Sequence, residues 1–193
     1  RLQTDYVDLY LLHSPDIEEL SRWPELLSSL ESLQEQGKIR EYGISTRSPE
    51  DGLAAVRDHG IGVLQVNFSM IDQRAIDCGL FDLCLEKNIG IIGRTPLCFG
   101  FLTGEYSDSK KFHSLDHRSK WSPERIKRWA EAYQLFTENL TGADRYSNAQ
   151  IAIRYCLSYP VISTVIPGML VEGHVRDNVA ASDQGTLEEK ERA

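Results

Sequence analysis

Five β-type runs separated by helical patterns predict an α/β fold on a parallel sheet. Two further observations narrow the architecture. No GxGxxG and no GxxxxGK[ST] follows the first run, so a doubly wound nucleotide fold lacks its usual opening turn. Polar residues recur where the strands end: His13, then Ser45-Thr46, then Gln65 and Asn67, then Arg94-Thr95. A (β/α)8 TIM barrel places functional residues at those C-terminal strand ends. The prediction is therefore a (β/α)8 TIM barrel, of which this chain supplies about five βα units.

The elements follow in order. Tyr6–His13 reads as the first strand. A helix starts at Pro24, carries Leu26, Leu27, Leu30 and Leu33 as its apolar stripe, and is capped by Gly37. Ile39–Ser45 is the second strand. Ser48-Pro49 opens the next helix as N-cap and first turn, and Gly60 closes it. Val63–Phe68 is the third strand. A helix through Leu80, Leu83, Cys84 and Leu85 runs to Asn88, and Ile89–Arg94 is the fourth strand. Residues 104–122 are polar and read as a long loop. Ser122-Pro123-Glu124 starts a helix to about Leu140, and another spans Ser147–Leu157. Val161–Ile166 is the fifth strand, and Val171–Ala181 the last helix.

A chain of 193 residues is long enough for one domain with a sizeable core, expected over 1–193. No apolar run reaches the roughly 18 residues that span a bilayer, so a membrane protein is not expected. A net charge of −8 repels phosphate backbones and disfavours nucleic-acid binding. Cys78, Cys84, Cys98 and Cys156 form no CxxC pair, and three lie among apolar neighbours, which suits free thiols in a reducing, cytoplasmic setting. In that setting the glycosylation patterns at Asn67 and Asn139 carry no weight. Arg1 stands first, with no signal pattern after it, so a fragment or processed chain is expected.

In a strand, residues two apart share a face, so His13 joins Val7, Leu9 and Leu11 on the side that points into a barrel. There it can donate a hydrogen bond to a substrate oxygen or move a proton near neutral pH. A hydrogen-bonded histidine that merely ends a strand fits the same pattern. Tyr6 and Tyr10 lie within the strand on its helix-facing side. Gln65 is an inward amide that needs partners, either a ligand carboxamide or its neighbouring strands. Ser45 reads as a ligand contact or as the cap of the next turn. Asp177 and Asn178 can hydrogen-bond a base or lie on a solvated helix face. His113, Asp116 and His117 have metal-like spacing but no supporting thiol or second shell, and no metal is expected.

Taken together, the order of these pieces resembles the aldo-keto reductase family. The resemblance rests on Leu2-Gln3-Thr4-Asp5 through His13, Gly37-Lys38-Ile39-Arg40 with Gly43-Ile44-Ser45, and Leu64 through Ser69. It continues through Thr95-Pro96-Leu97, Gly100 through Gly104, Asp116-His117-Arg118-Ser119 with Trp121, Ser163 through Gly168, and Asp177-Asn178. It implies reduction of an aldehyde or ketone with NADPH, less often NADH. The family's tetrad is Asp, Tyr, Lys and His, and His13 matches the histidine. The other three would precede Arg1, so the resemblance implies that the chain supplies about the last five βα units and that the fragment itself is inactive. The resemblance implies that Ser45 and Gln65 hold the nicotinamide carboxamide. Thr46 stands where many members have Asn, and Arg94 where many stack a tyrosine. Thr95, Leu97 and Gly100 match the pyrophosphate-side loop, with Phe99 in place of a small residue. Ile166, Gly168, Met169, His174, Asp177 and Asn178 match the adenosine end. Gly168 and His174 replace cations that commonly clamp the 2′-phosphate. A non-catalytic dinucleotide-binding module, like the family's channel-associated members, is the alternative.

Overall fold

A computed structural model describes residues 3–137 and 145–189 of the chain. Its parallel ladders run in sequence order: β1 (Val7–His13), β2 (Ile39–Ser45), β3 (Val63–Asn67), β4 (Gly90–Arg94) and β5 (Ile162–Ile166), in the spatial order β1-β2-β3-β4-β5. Strand order never reverses, which is the pattern of a barrel and not of a doubly wound sheet. Contacts group the residues into two compact units. One contains the residues up to Asn67, Arg74–Arg94 and Pro160–Thr164. The other contains Phe68–Gln73, Thr95–Tyr159 and the residues from Val165.

In the first unit the helices are α1 (Ile17–Arg22), α2 (Pro24–Glu35), α3 (Pro49–His59), α4 (Arg74–Asp77) and α5 (Leu80–Glu86). Local chemistry sets their ends. Ser48 and Asp51 form a reciprocal capping box at the start of α3, with Pro49 in its first turn, and Gly60 closes it in a left-handed conformation. Pro24 opens α2 as expected, and Gly37 follows its C-terminus at φ +68°. The core beneath them is Ile44, Leu64, Ile91, Ala55 and Leu80, all fully buried. Gly43 lets β2 and β3 approach: a Cβ there would lie 2.2 Å from the Val63 carbonyl oxygen.

Sequence patterning predicts none of four short elements, the last of them a 3-10 turn at His117–Lys120. α1 is capped by Asp16 and buries Leu20 alone. α4 is a single turn before Gly79. A 3-10 turn covers Cys98–Thr103. Strand ends differ from the expected ones by a residue: Tyr6 and Phe68 fall outside β1 and β3, and β4 and β5 begin at Gly90 and Ile162. Within β1, Val7, Leu9 and Leu11 are half-buried and Asp8 and Tyr10 exposed, as the strand phase requires.

In the second unit are α6 (Pro123–Thr137), α7 (Asn148–Leu157) and α8 (Glu172–Asp183). Leu140 and Asn139 lie outside the described residues, as do Arg1 and Leu2. A second capping box, Ser147 with Gln150, starts α7. Residues 104–122 are more than a loop. They contain a 3-10 turn at His117–Lys120, and Tyr106, Phe112 and Trp121 pack edge or face with Phe101. All four cysteines are free thiols, and Cys84, Cys98 and Cys156 are buried. Burial pushes the Cys84 thiol up to about 11 and that of Cys98 to about 12, and raises Cys156 further still. Among the described residues no helix is long and apolar enough to cross a membrane.

Candidate active site

Strand register gathers the first set of predicted residues. His13 pairs beside Ser45 and Ser45 beside Gln65, so these three share one row, and Asn67 pairs beside Arg94 two residues further along. The Gln65 amide Nε2 donates to Ser45 Oγ at 3.0 Å. That bond leaves the Gln65 Oε1 and second N–H with capacity for a further partner. Ser45 and Thr46 are buried at about 1% exposure, so their hydroxyls cannot be satisfied by bulk water. Thr46 donates its backbone N–H to the Gln65 carbonyl at 2.9 Å. Its own carbonyl accepts from Arg94 Nη2 at 2.7 Å. Arg94 thus spends part of its fork on backbone, and burial pulls its pKa down.

His13 is exposed at the end of β1. Ser14, next in the chain, has φ +52°, a region that non-glycine residues seldom adopt. Its N–H donates to the Ser45 carbonyl at 2.9 Å, and its own carbonyl accepts from Arg47 Nε at 3.0 Å. Ser14, directly after His13, is therefore tied through both of its backbone polar groups.

The second set lines a cavity of about 600 Å³ in the second unit. Thr95, Leu97 and Gly100 come from the segment before α6. Ile166, Gly168, Met169, His174, Asp177 and Asn178 come from the end of β5, the link after it and the first two turns of α8. Nine of the thirteen predicted cofactor positions thus share one cavity. Its volume lies in the usual range of ligand pockets, about 300 to 1,000 Å³. The His174 Nδ1 accepts from the Leu170 N–H at 3.2 Å, which leaves Nε2 as the outward nitrogen. Asp177 is already engaged: it accepts from the Ser147 hydroxyl at 2.6 Å and from Gln150 Nε2 at 2.7 Å. Both donors are the capping-box residues of α7, so Asp177 ties α8 to the start of α7. Asn178 Nδ2 donates weakly to the Gly168 carbonyl at 3.5 Å.

Other lining residues carried no predicted role. Tyr106, Arg118, Glu105 and Asn148 belong to this cavity. Arg118 forks onto Asp116 through Nε and Nη2, and this pairing holds the Asp116 carboxyl well below the usual range. Its Nη1 donates to the Phe99 carbonyl at 2.6 Å and to the Tyr106 hydroxyl at 3.1 Å. The aspartate-arginine spacing was visible in the sequence; its reach back to Phe99 was not. His113 and Asp116 make local hydrogen bonds. His113 Nδ1 accepts from the Leu115 N–H, and Asp116 caps the turn at His117–Lys120. Among the described residues no cluster is arranged to hold a metal.

Comparison with known proteins adds a family and a fold. The model of the aldo/keto reductase family matches residues 1–193. The uncharacterized oxidoreductase YqkF of Bacillus subtilis is 29% identical over 193 residues, which is 99% of this chain and 60% of that protein. The solved aldo-keto reductase AKR11C1 of Bacillus halodurans, in its holo form, is 27% identical with a TM-score of 0.74, over 99% of this chain and 60% of that one. An aldo/keto reductase of Klebsiella pneumoniae, solved in complex with NADP and acetate, is 25% identical with a TM-score of 0.66, over 98% and 58%. The chain therefore spans about 60% of the length of the relatives it matches. Their likeness bears out the partial barrel of about five βα units.

Proposed function

We propose a function from one premise: the chain belongs to the aldo/keto reductase family. The complete protein reduces an aldehyde or ketone to an alcohol with NADPH, and His13 is this chain's catalytic group. The observation that carries the reading is the convergence of nine predicted cofactor positions on one cavity, from segments some 70 residues apart. NADP in the Klebsiella pneumoniae relative supports the choice of coenzyme.

Each unit by itself offers groups that suit part of a nicotinamide dinucleotide. The buried Ser45–Gln65 pair offers an acceptor and a donor to a carboxamide, a planar group that needs both. Gly100 at φ +92° and Gly168 present backbone without a side chain at the cavity wall. When bound, the coenzyme supplies the hydride. Everything else falls to the chain. Ser45 and Gln65 fix the carboxamide, and Arg94 and Thr46 stiffen the strand ends around them. Thr95, Leu97 and Gly100 contact the pyrophosphate side. Ile166, Gly168, Met169, His174, Asp177 and Asn178 surround the adenosine side. His13 donates a hydrogen bond to the substrate carbonyl oxygen, which draws electron density from the carbon that is to be reduced. By the family resemblance His13 is the tetrad member that this chain supplies, and on this reading the 193 residues alone bind coenzyme and turn it over little or not at all.

The test has two arms. NADPH is titrated against the fluorescence of Trp23, Trp121 and Trp129, with binding expected in the micromolar range. NADPH oxidation is then followed with a broad aldehyde panel. Absence of binding at millimolar NADPH sinks the coenzyme reading. Oxidation by the isolated chain at a rate ordinary for an enzyme, about 1 s⁻¹ or more, sinks the claim that His13 cannot act alone.

A further inference from the structure

The segment that opens the cavity wall is held in an unusual backbone state. Cys98, Phe99 and Gly100 have φ of +44°, +56° and +92°, three consecutive left-handed residues of which two carry side chains. Left-handed non-glycine residues persist only where their surroundings enforce them. Internal bonds supply part of the restraint: Gly100 N–H donates to the Leu97 carbonyl at 2.9 Å, and Thr103 Oγ1 to the Gly100 carbonyl at 2.8 Å. The Phe99 carbonyl instead takes the 2.6 Å bond from Arg118 Nη1, nineteen residues along the chain.

Arg118 is fixed before it reaches that carbonyl. Asp116 takes Nε and Nη2 in a fork, which sets the guanidinium plane. The Phe112 ring lies 4.3 Å from Cζ. The remaining N–H of Nη1 meets the Tyr106 hydroxyl, and the Tyr106 ring packs on Gly100 so closely that a Cβ there would lie 2.9 Å from it. The Arg118 side chain is only 19% exposed. An exposed arginine–aspartate pair contributes little, but this one aims a third and a fourth contact at a strained turn.

We propose that Arg118 is a positioning residue: through the Phe99 carbonyl it holds the Cys98–Gly100 turn left-handed and so sets the shape of the cavity wall that receives the dinucleotide. The role rests on the coenzyme reading above for what the cavity binds. Lysine cannot replace it, because one ammonium cannot fork onto Asp116 and reach Phe99 and Tyr106 together.

The experiment uses the 193-residue chain and the variants R118K, R118Q and G100A, with R176Q as control. Arg176 pairs on the exposed face of α8 with Glu172 and does not line the cavity. Amide hydrogen exchange is measured without ligand, and NADPH affinity by titration. R118K and R118Q are expected to speed exchange at Cys98–Leu102 about tenfold or more, since a local opening there becomes easier. They also weaken NADPH binding about tenfold, or about 1.4 kcal/mol. G100A, which pushes Tyr106 from the other side, gives the same exchange signature, and R176Q changes neither. Unchanged exchange at the turn in both Arg118 variants overturns the proposal. So does faster exchange with wild-type affinity, which makes the contact merely structural. If the wild type binds no NADPH, the coenzyme reading falls, and the unliganded exchange of R118K and R118Q alone upholds or overturns the hold on the turn.

Discussion

Gly43→Ala tests whether the β2–β3 junction sets both stability and the Ser45–Gln65 pair. The added Cβ would sit 2.2 Å from the Val63 carbonyl oxygen and 2.9 Å from Val63 Cβ. That is roughly 1 Å short of the ~3.3 Å at which carbon and oxygen ordinarily meet. The obstacle is backbone, so no rotamer change relieves it, and the strands must part. The ladder immediately beyond joins Ile44 to Leu64 and Ser45 to Gln65, and Ile44 and Leu64 are fully buried. Overpacking of this kind costs about 1 to 3 kcal/mol, and rigid backbone places it at the upper end. With a urea slope of about 2 kcal/mol/M, the midpoint should fall by about 1.5 M. Gly62→Ala is the control, because nothing lies within 4 Å of its Cβ position. Urea unfolding followed by circular dichroism measures both variants. A Gly43→Ala midpoint equal to the wild type, or an equal loss in Gly62→Ala, refutes the reasoning.

Gln65→Leu should weaken NADPH binding about tenfold and cost about 1 to 3 kcal/mol of stability, because the buried Ser45 hydroxyl loses its donor; titration and denaturation check the two effects separately. Asp177→Asn turns one carboxylate oxygen into a donor facing Ser147 or Gln150, and a loss of about 1 to 2 kcal/mol should lower Tm by roughly 4 °C in a calorimetric scan. Buried thiols make alkaline stability a third test. The folded values of Cys84 and Cys98, about 11 and about 12, lie above the unfolded one, so their contribution is complete below the ordinary thiol range and is lost as pH rises through the folded values. Tm should therefore fall between pH 9 and about 11, and fall less in Cys98→Ala; identical slopes in the two proteins would count against burial as the cause.

Strands and strand-end chemistry were legible because period-two alternation and register are written in neighbouring residues. β2 has the expected bounds, and the Ser48-Pro49 and Ser147 helix starts carry their caps in the sequence. α1 was not legible. Six residues with one buried leucine give no helical period, and Glu18, Glu19, Ser21 and Arg22 add no apolar stripe. The 104–122 segment failed for another reason. Tyr106, Phe112, Arg118 and Trp121 meet through irregular spacings, and no periodicity marks a cluster that exists only in three dimensions. The same holds for the wall of the cavity. Thr95, Leu97 and Gly100 were named from motif order, but the Arg118 contact to Phe99 has no local signature.

The four thiols give each unit its own clock. Cys84 is buried in the first unit and Cys156 in the second, and neither is paired. Only a thiolate reacts quickly with an alkylating or disulfide reagent, and both groups are held neutral by burial. Each sulfur must wait for its surroundings to part before it can be trapped. Modification rates at the two positions, resolved by peptide mass, thus time the opening of the strand-end unit and of the cavity unit separately, with no label added to the chain.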